Sequence, residues 1–165
     1  MKELIDFKSY LLREYTTELP KPLDWSIYQT DNDGSEYRFK LGDREYSVYF
    51  SIDDEFPVFA RWDFESGGGF DEMTNDFNSK SKLSTLLSIL RDFLNKNTEV
   101  GAIGYTASNK RFNIYSKIFS NLLNKSTGRL DSINTKVPDH FFPDADSNRG
   151  ALYDSSFESI KRELA

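Results

Sequence analysis

Residues 99–124, EVGAIGYTASNKRFNIYSKIFSNLLN, set the architecture: a run of small and apolar residues passes through Ser108 and Asn109 straight into an amphipathic segment. Val100, Ala102 and Ile103 predict a buried strand, whereas Phe112, Ile114, Tyr115, Ile118, Phe119 and Leu122 recur at the spacing of a helix. Ser108 or Asn109 offers a side-chain oxygen to the unpaired N–H groups of the first helical turn, which places the boundary between the two elements.

Working upstream, Leu83, Leu86, Leu87, Leu90, Phe93 and Leu94 predict a helix over 80–95. Before it, ESGGGFDEMTNDFN (65–78) contains Gly67, Gly68 and Gly69 in succession and predicts a loop. Four strands precede the loop. WSIYQT (25–30) leads into the turn Asp31-Asn32-Asp33-Gly34, and Tyr37, Phe39 and Leu41 then alternate with polar residues up to a tight turn at Gly42-Asp43. Tyr46, Val48, Phe50 and Ile52 continue the period of two, Asp53-Asp54-Glu55 turns, and Val58, Ala60, Trp62 and Phe64 oppose Phe59, Arg61 and Asp63. The pattern predicts an antiparallel meander with one buried face. At the start, Leu4, Phe7, Leu11, Leu12 and Tyr15 predict a helix over 2–17 that ends before Pro20 and Pro22.

Downstream of Lys125 the periodicity collapses. Ile133, Val137, Phe141, Phe142 and Leu152 stand as isolated apolar anchors, which predicts an irregular tail packed back on the domain, with a short helix at 155–163. The expectation is therefore one α+β domain over 1–165, a core at 1–124 and a tail at 125–165, in the order α-β-β-β-β-α-β-α.

Composition supports a folded chain, with 38% hydrophobic and 15% aromatic residues, and the 14 Phe and 9 Tyr point to an aromatic core with some rings left at the surface for an interface. The absence of Cys excludes a disulfide framework, a thiolate metal site and a catalytic thiol, and points to a reducing, cytoplasmic compartment. No apolar run approaches the roughly 20 residues of a membrane span, and MKELIDFKSYLLREY reads as an amphipathic helix rather than a signal peptide. Charge divides unevenly: residues 1–80 hold 9 Lys or Arg against 18 Asp or Glu, whereas 81–136 hold 9 against 3. Without an Arg-rich run, nucleic-acid binding is not expected.

The meander, helix, strand and helix of residues 25–124 follow the order of the central part of the GNAT acyltransferase fold, and N109-K-R-F-N-I-Y-S-K-I-F resembles the last helix of that family. The same segment, through Arg111, Ile114, Tyr115 and Ile118, also resembles a motif of phage-encoded proteins. The first resemblance implies acetyl-coenzyme A as cofactor, its diphosphate held by a glycine loop at a helix N-terminus, and Tyr115 at the position of the proton donor. Here the glycines at 67–69 are crowded by Glu65, Asp71, Glu72 and Asp76, which oppose a diphosphate, so no cofactor is expected. The face that Tyr115 shares with Phe112, Phe119 and Leu122 makes it a core residue.

Asp144, Asp146 and Asn148 alternate as calcium ligands do, but an EF-hand would need Gly and Glu where Arg149 and Ser155 stand; Asp154 is the remaining residue able to close a nonstandard site. A polar turn after Pro143 accounts for the same residues, and no metal is expected. His140, the sole histidine, excludes a multi-histidine metal site, and its setting between Asp139 and Phe141 suits an anchor of the tail. With no catalytic motif complete, the sequence predicts a non-catalytic protein-binding or structural protein, acting in a host cytoplasm or virion if phage-encoded. Its partner would be another protein, with neither nucleic acid nor membrane. The alternatives are a GNAT-type acyltransferase using acetyl-coenzyme A and an acidic inhibitor that mimics nucleic acid.

Overall fold

Alternation of apolar and polar residues carries residues 25–65 into four antiparallel strands: β1 (Trp25–Thr30), β2 (Gly34–Leu41), β3 (Arg44–Ile52) and β4 (Phe59–Glu65). The structure is a computed structural model and describes residues 20–32, 34–65, 79–107, 112–113, 116–117, 119–120, 129–142 and 148–164. The expected helix at 2–17 and the glycine loop lie outside these. Each turn of the meander follows its residue types. Asp31 accepts the Gly34 N–H at 3.0 Å, Gly42 takes φ +64°, and Asp53 Oδ1 accepts the N–H groups of Glu55 and Phe56 at 3.0 and 2.8 Å.

Helix α1 (Ser79–Lys96) follows the leucine spacing and buries Leu83, Leu86, Leu90 and Phe93 on the sheet face that carries Tyr37, Phe39, Tyr46, Val48, Phe50 and Trp62. Phe50 and Phe93 stack with centroids 4.1 Å apart. At the carboxyl end of α1, Arg129 donates to the Leu94 carbonyl at 3.0 Å, where unpaired C=O groups and the helix dipole favour a cation. Strand β5 (Ala102–Ala107) then pairs parallel to β4, and residues 112, 113, 116, 117, 119 and 120 are helical with Phe112 and Phe119 buried, as the opening stretch predicts.

The tail departs from expectation. It supplies β6 (Ser132–Asn134), a short 3₁₀ turn at Asp139–Phe141, β7 (Asn148–Tyr153) and helix α2 (Glu158–Leu164). Strand β7 inserts beside β5 and completes a seven-stranded, mostly antiparallel sheet in the order β1-β2-β3-β4-β5-β7-β6. Its middle residues, Gly150, Ala151 and Leu152, are all buried, so it shows no alternation, and β6 is only three residues long. The sequence signal for both is correspondingly weak.

A second correction concerns β4. Phe59 is not on a solvated face with Arg61 and Asp63; it is fully buried against Phe141 and Phe142, and Val58 joins it rather than Ala60 and Trp62. From Phe59 through β5 and β7, the sheet is covered on both faces. The cover on the second face is built from the 3₁₀ turn and α2, with Val137, Phe141, Phe142, Ile160 and Leu164 packed over Phe59, Ala102 and Ala151.

Candidate functional site

A polar stripe on α1 fixes where the sheet begins. Ser84, Thr85, Ser88 and Asp92 lie along one side of the helix, and each side chain finds a partner. Ser84 Oγ donates to the Pro20 carbonyl at 2.5 Å, Thr85 Oγ1 accepts the Leu23 N–H at 2.9 Å while donating to the Ser81 carbonyl, and Ser88 Oγ accepts the Trp25 indole N–H at 3.1 Å. Tyr37 donates its hydroxyl to Asp92 at 2.8 Å; burial, reinforced by that carboxylate, pushes its pKa well above the ordinary value. Buried hydroxyls with partners cost little, so the stripe holds residues 20–25 against the helix.

Beyond Trp25 that support stops. Ser26 to Thr30 are all exposed, and Ile27 and Tyr28 retain 41% and 58% of their surface, the exposed large hydrophobics among the described residues. Strand β1 lies at the end of the sheet, paired on one side with β2. A bulge between Ile27 and Gln29 shifts the register there. Bulges re-aim side chains, and Tyr28 lies with its ring centroid 3.3 Å from the Arg38 guanidinium carbon. Arg38 is in turn held by Glu36 at 2.6 Å and approached by Glu45 at 3.8 Å; the Glu36 hydrogen bond raises its pKa further, so it is a cation at every physiological pH. On either side of this stack are two hollows, one of about 530 Å³ bordered by Trp25, Ser26, Arg38, Lys40 and Glu45, the other of about 310 Å³ bordered by Gln29, Asp31, Glu36, Tyr49 and Ser51. The result is an edge strand with exposed apolar and aromatic side chains beside a mixed-charge sheet face.

A second feature lies at the centre. Strands β4 and β5 pair only from Phe59–Ala102 to Arg61–Gly104, although β4 runs on to Glu65 and β5 to Ala107. Past that point they part, and Phe119 bridges them, its ring 5.8 Å from Trp62 and 5.1 Å from Tyr105. The Tyr105 hydroxyl bonds Ser116 Oγ at 2.8 Å, and burial pushes its pKa up to about 12 despite that bond. At neutral pH it is a neutral phenol. The point of parting is tied to the second-face cover by Arg61, which donates to Asp53 Oδ2 at 2.8 Å and to the Phe141 carbonyl at 2.9 Å.

Of the candidates singled out by sequence, Tyr115, Gly67, Gly68, Gly69, Asp144 and Asp146 lie outside the described residues. Asn148 is the first residue of β7 and Asp154 follows its last, and Asp154 Oδ1 accepts from both the N–H and the hydroxyl of Ser156. His140 is exposed beside Phe141, with ring centroids 4.2 Å apart. Among the described residues no group of three His, Asp or Glu is placed to hold a metal ion, and no helix is long and apolar enough to cross a membrane. Sequence reasoning missed Ile27, Tyr28 and Arg38. Comparison with models of protein families, with curated proteins and with solved structures gave no match.

Proposed function

We propose that this chain is a non-catalytic binding protein that docks another protein along the β1 edge, in a host cytoplasm or a virion if it is phage-encoded. The observation that carries this function is the exposure of Ile27 and Tyr28 on a strand whose outer side has no neighbour among the described residues. Such an edge presents unpaired N–H and C=O groups to any extended chain, and proteins that do not use an edge ordinarily shield it. Mimicry of nucleic acid draws less support, because Glu36 and Glu45 are set around Arg38, and Asp53 is paired with Arg61, rather than forming a row of one sign. A photo-cross-linking residue at position 28 should yield a covalent adduct with a partner in native cell extract, while the same residue at exposed position 95 should not, and Ile27→Lys should abolish the adduct. Equal adducts from both positions would refute docking at β1.

Acyl transfer is the second function with a specific observation in its favour. Parallel strands that part toward their carboxyl ends leave a crevice where open sheets hold ligands, and β4 and β5 part after Arg61 and Gly104. The order of meander, helix, strand and helix adds to the GNAT resemblance. Against it, the described rings at the gap, Trp62, Tyr105 and Phe119, carry no positive charge for a diphosphate. Calorimetric titration with acetyl-coenzyme A should give no heat of binding; a micromolar dissociation constant would put acyl transfer first.

A further inference from the structure

Building on the edge-docking function proposed above, we infer that the occupant of the β1 edge is an extended segment of a different protein, neutral at its centre and carrying Lys or Arg at both ends. The two edges of the sheet are managed differently. Strand β6 is three residues long and offers little backbone to pair with, which is one ordinary way of protecting an edge. Strand β1 is six residues long, or about 20 Å at 3.3 Å per residue, and WSIYQT contains no Lys, Glu or Pro to discourage pairing. Its bulge has turned Tyr28 onto Arg38 without burying it.

Charge selects among possible occupants. The neutral strand is bracketed by two exposed carboxylates, Asp24 before it and Asp31 after it. A second copy of this chain, laid antiparallel with full overlap, would set Asp24 of each copy against Asp31 of the other at both ends of a ribbon. Like charges placed directly opposite across strands are destabilising. A segment with a cation at each end meets both carboxylates, and because both ends are acidic, the charge pattern accepts either strand direction. Between those ends, the exposed flank of Ile27 suits an aliphatic side chain and the open part of the Tyr28 ring suits an apolar or cationic one. Edge pairing supplies affinity through the backbone, so the central residues need β propensity more than a fixed identity.

The probes are two synthetic nine-residue peptides with the same alternating valine and threonine centre, one ending in lysines and the other in glutamates. Binding is followed by fluorescence anisotropy and by amide shifts of residues 24–31 in the whole chain. The lysine-ended peptide should bind about tenfold or more tightly than its twin at low ionic strength, and the preference should shrink as salt rises. In the double variant Asp24→Asn, Asp31→Asn the preference should fall below about threefold. Asn at position 31 keeps an oxygen to accept the Gly34 N–H, so the turn retains that bond while the charge is removed. Ile27→Lys should weaken the lysine-ended peptide by more than about tenfold. Equal affinity for the two peptides would overturn the charge preference and leave the docking edge standing. Binding of neither, with the 24–31 amides unmoved, would overturn the docking edge as well. Concentration-dependent shifts of those amides without peptide, accompanied by dimerisation, would make the occupant a second copy and overturn the assignment to a different protein.

Discussion

Around β5 and β7 the sheet is buried on both faces, whereas β2 and β3 bury one face under α1, and β1 beyond Trp25 is exposed along its whole length. Phe59 shows the first situation: a fully buried ring on the second face, wedged between Phe141 and Phe142. Tyr28 shows the second, a ring more than half exposed and touched on one side by Arg38. Both are aromatic residues of one sheet, yet the first contributes mainly to folding and the second mainly to what the folded surface presents. Burial is thus concentrated at one end of the sheet, and the edge strand at the other end is left exposed.

The largest expected effect tests that division directly. Phe59→Ala should destabilise the fold by about 3–5 kcal/mol through the cavity it leaves, whereas Tyr28→Ala should cost no more than about 1 kcal/mol. Denaturant midpoints measure both; comparable losses would break the contrast. Gly104 sharpens it further. A Cβ there would stand 2.4 Å from Phe59 Cζ and 2.5 Å from Phe142 Cζ, so Gly104→Ala should cost about 1–3 kcal/mol by overpacking. At Gly42, in the one-sided half, nothing stands within 4 Å and only the positive φ resists, so Gly42→Ala should cost about 1 kcal/mol. A larger loss at Gly42 than at Gly104 would mean that packing does not distinguish the two regions.

Asp53 links the regions and gives a smaller, pH-dependent effect. Burial opposes its ionisation, but the Arg61 hydrogen bond, the N–H groups of Phe56 and Glu55 and the Arg61 charge outweigh burial and hold its carboxyl below the ordinary 3.8. A carboxylate with a depressed folded pKa contributes stability that is present above the unfolded value and lost as pH falls through the folded one. Asp53→Asn should therefore cost about 1 kcal/mol at pH 7, and the gap between variant and wild type should close as pH falls below about 4. A gap that stays constant down to acid unfolding would mean that the Arg61 pair does not hold the second-face cover to the meander.

The meander was legible because a one-sided sheet writes its face into the sequence: Tyr37, Phe39, Tyr46, Val48 and Phe50 alternate with residues that meet water. Helix α1 was legible from its leucines for the same reason. The two-sided half was not. Phe59 and the buried run Gly150 to Leu152 in β7 satisfy both faces and show no period of two, and the pairing of β7 with β5 joins distant segments that no local pattern connects. The candidate site was hidden by another cause. Edge status belongs to the strand order, the bulge at Ile27 to Gln29 breaks the alternation of WSIYQT, and Arg38 reads as one more polar residue until Tyr28 is seen against it. A signal did exist for the polar stripe of α1, since Ser84, Thr85, Ser88 and Asp92 keep helical spacing, but a solvated helix face carries the same residue types.

If β1 is an open edge in the isolated protein, amide hydrogen exchange resolved by residue will show it. The amides of Ser26 to Thr30 that point away from β2 should exchange at least about a hundredfold faster than those of Ala102 to Ala107 in the doubly covered β5, and the lysine-ended peptide should slow the former alone. Protection of β1 equal to that of β5 in the free protein would mean that its outer side is already paired and closed to an incoming strand.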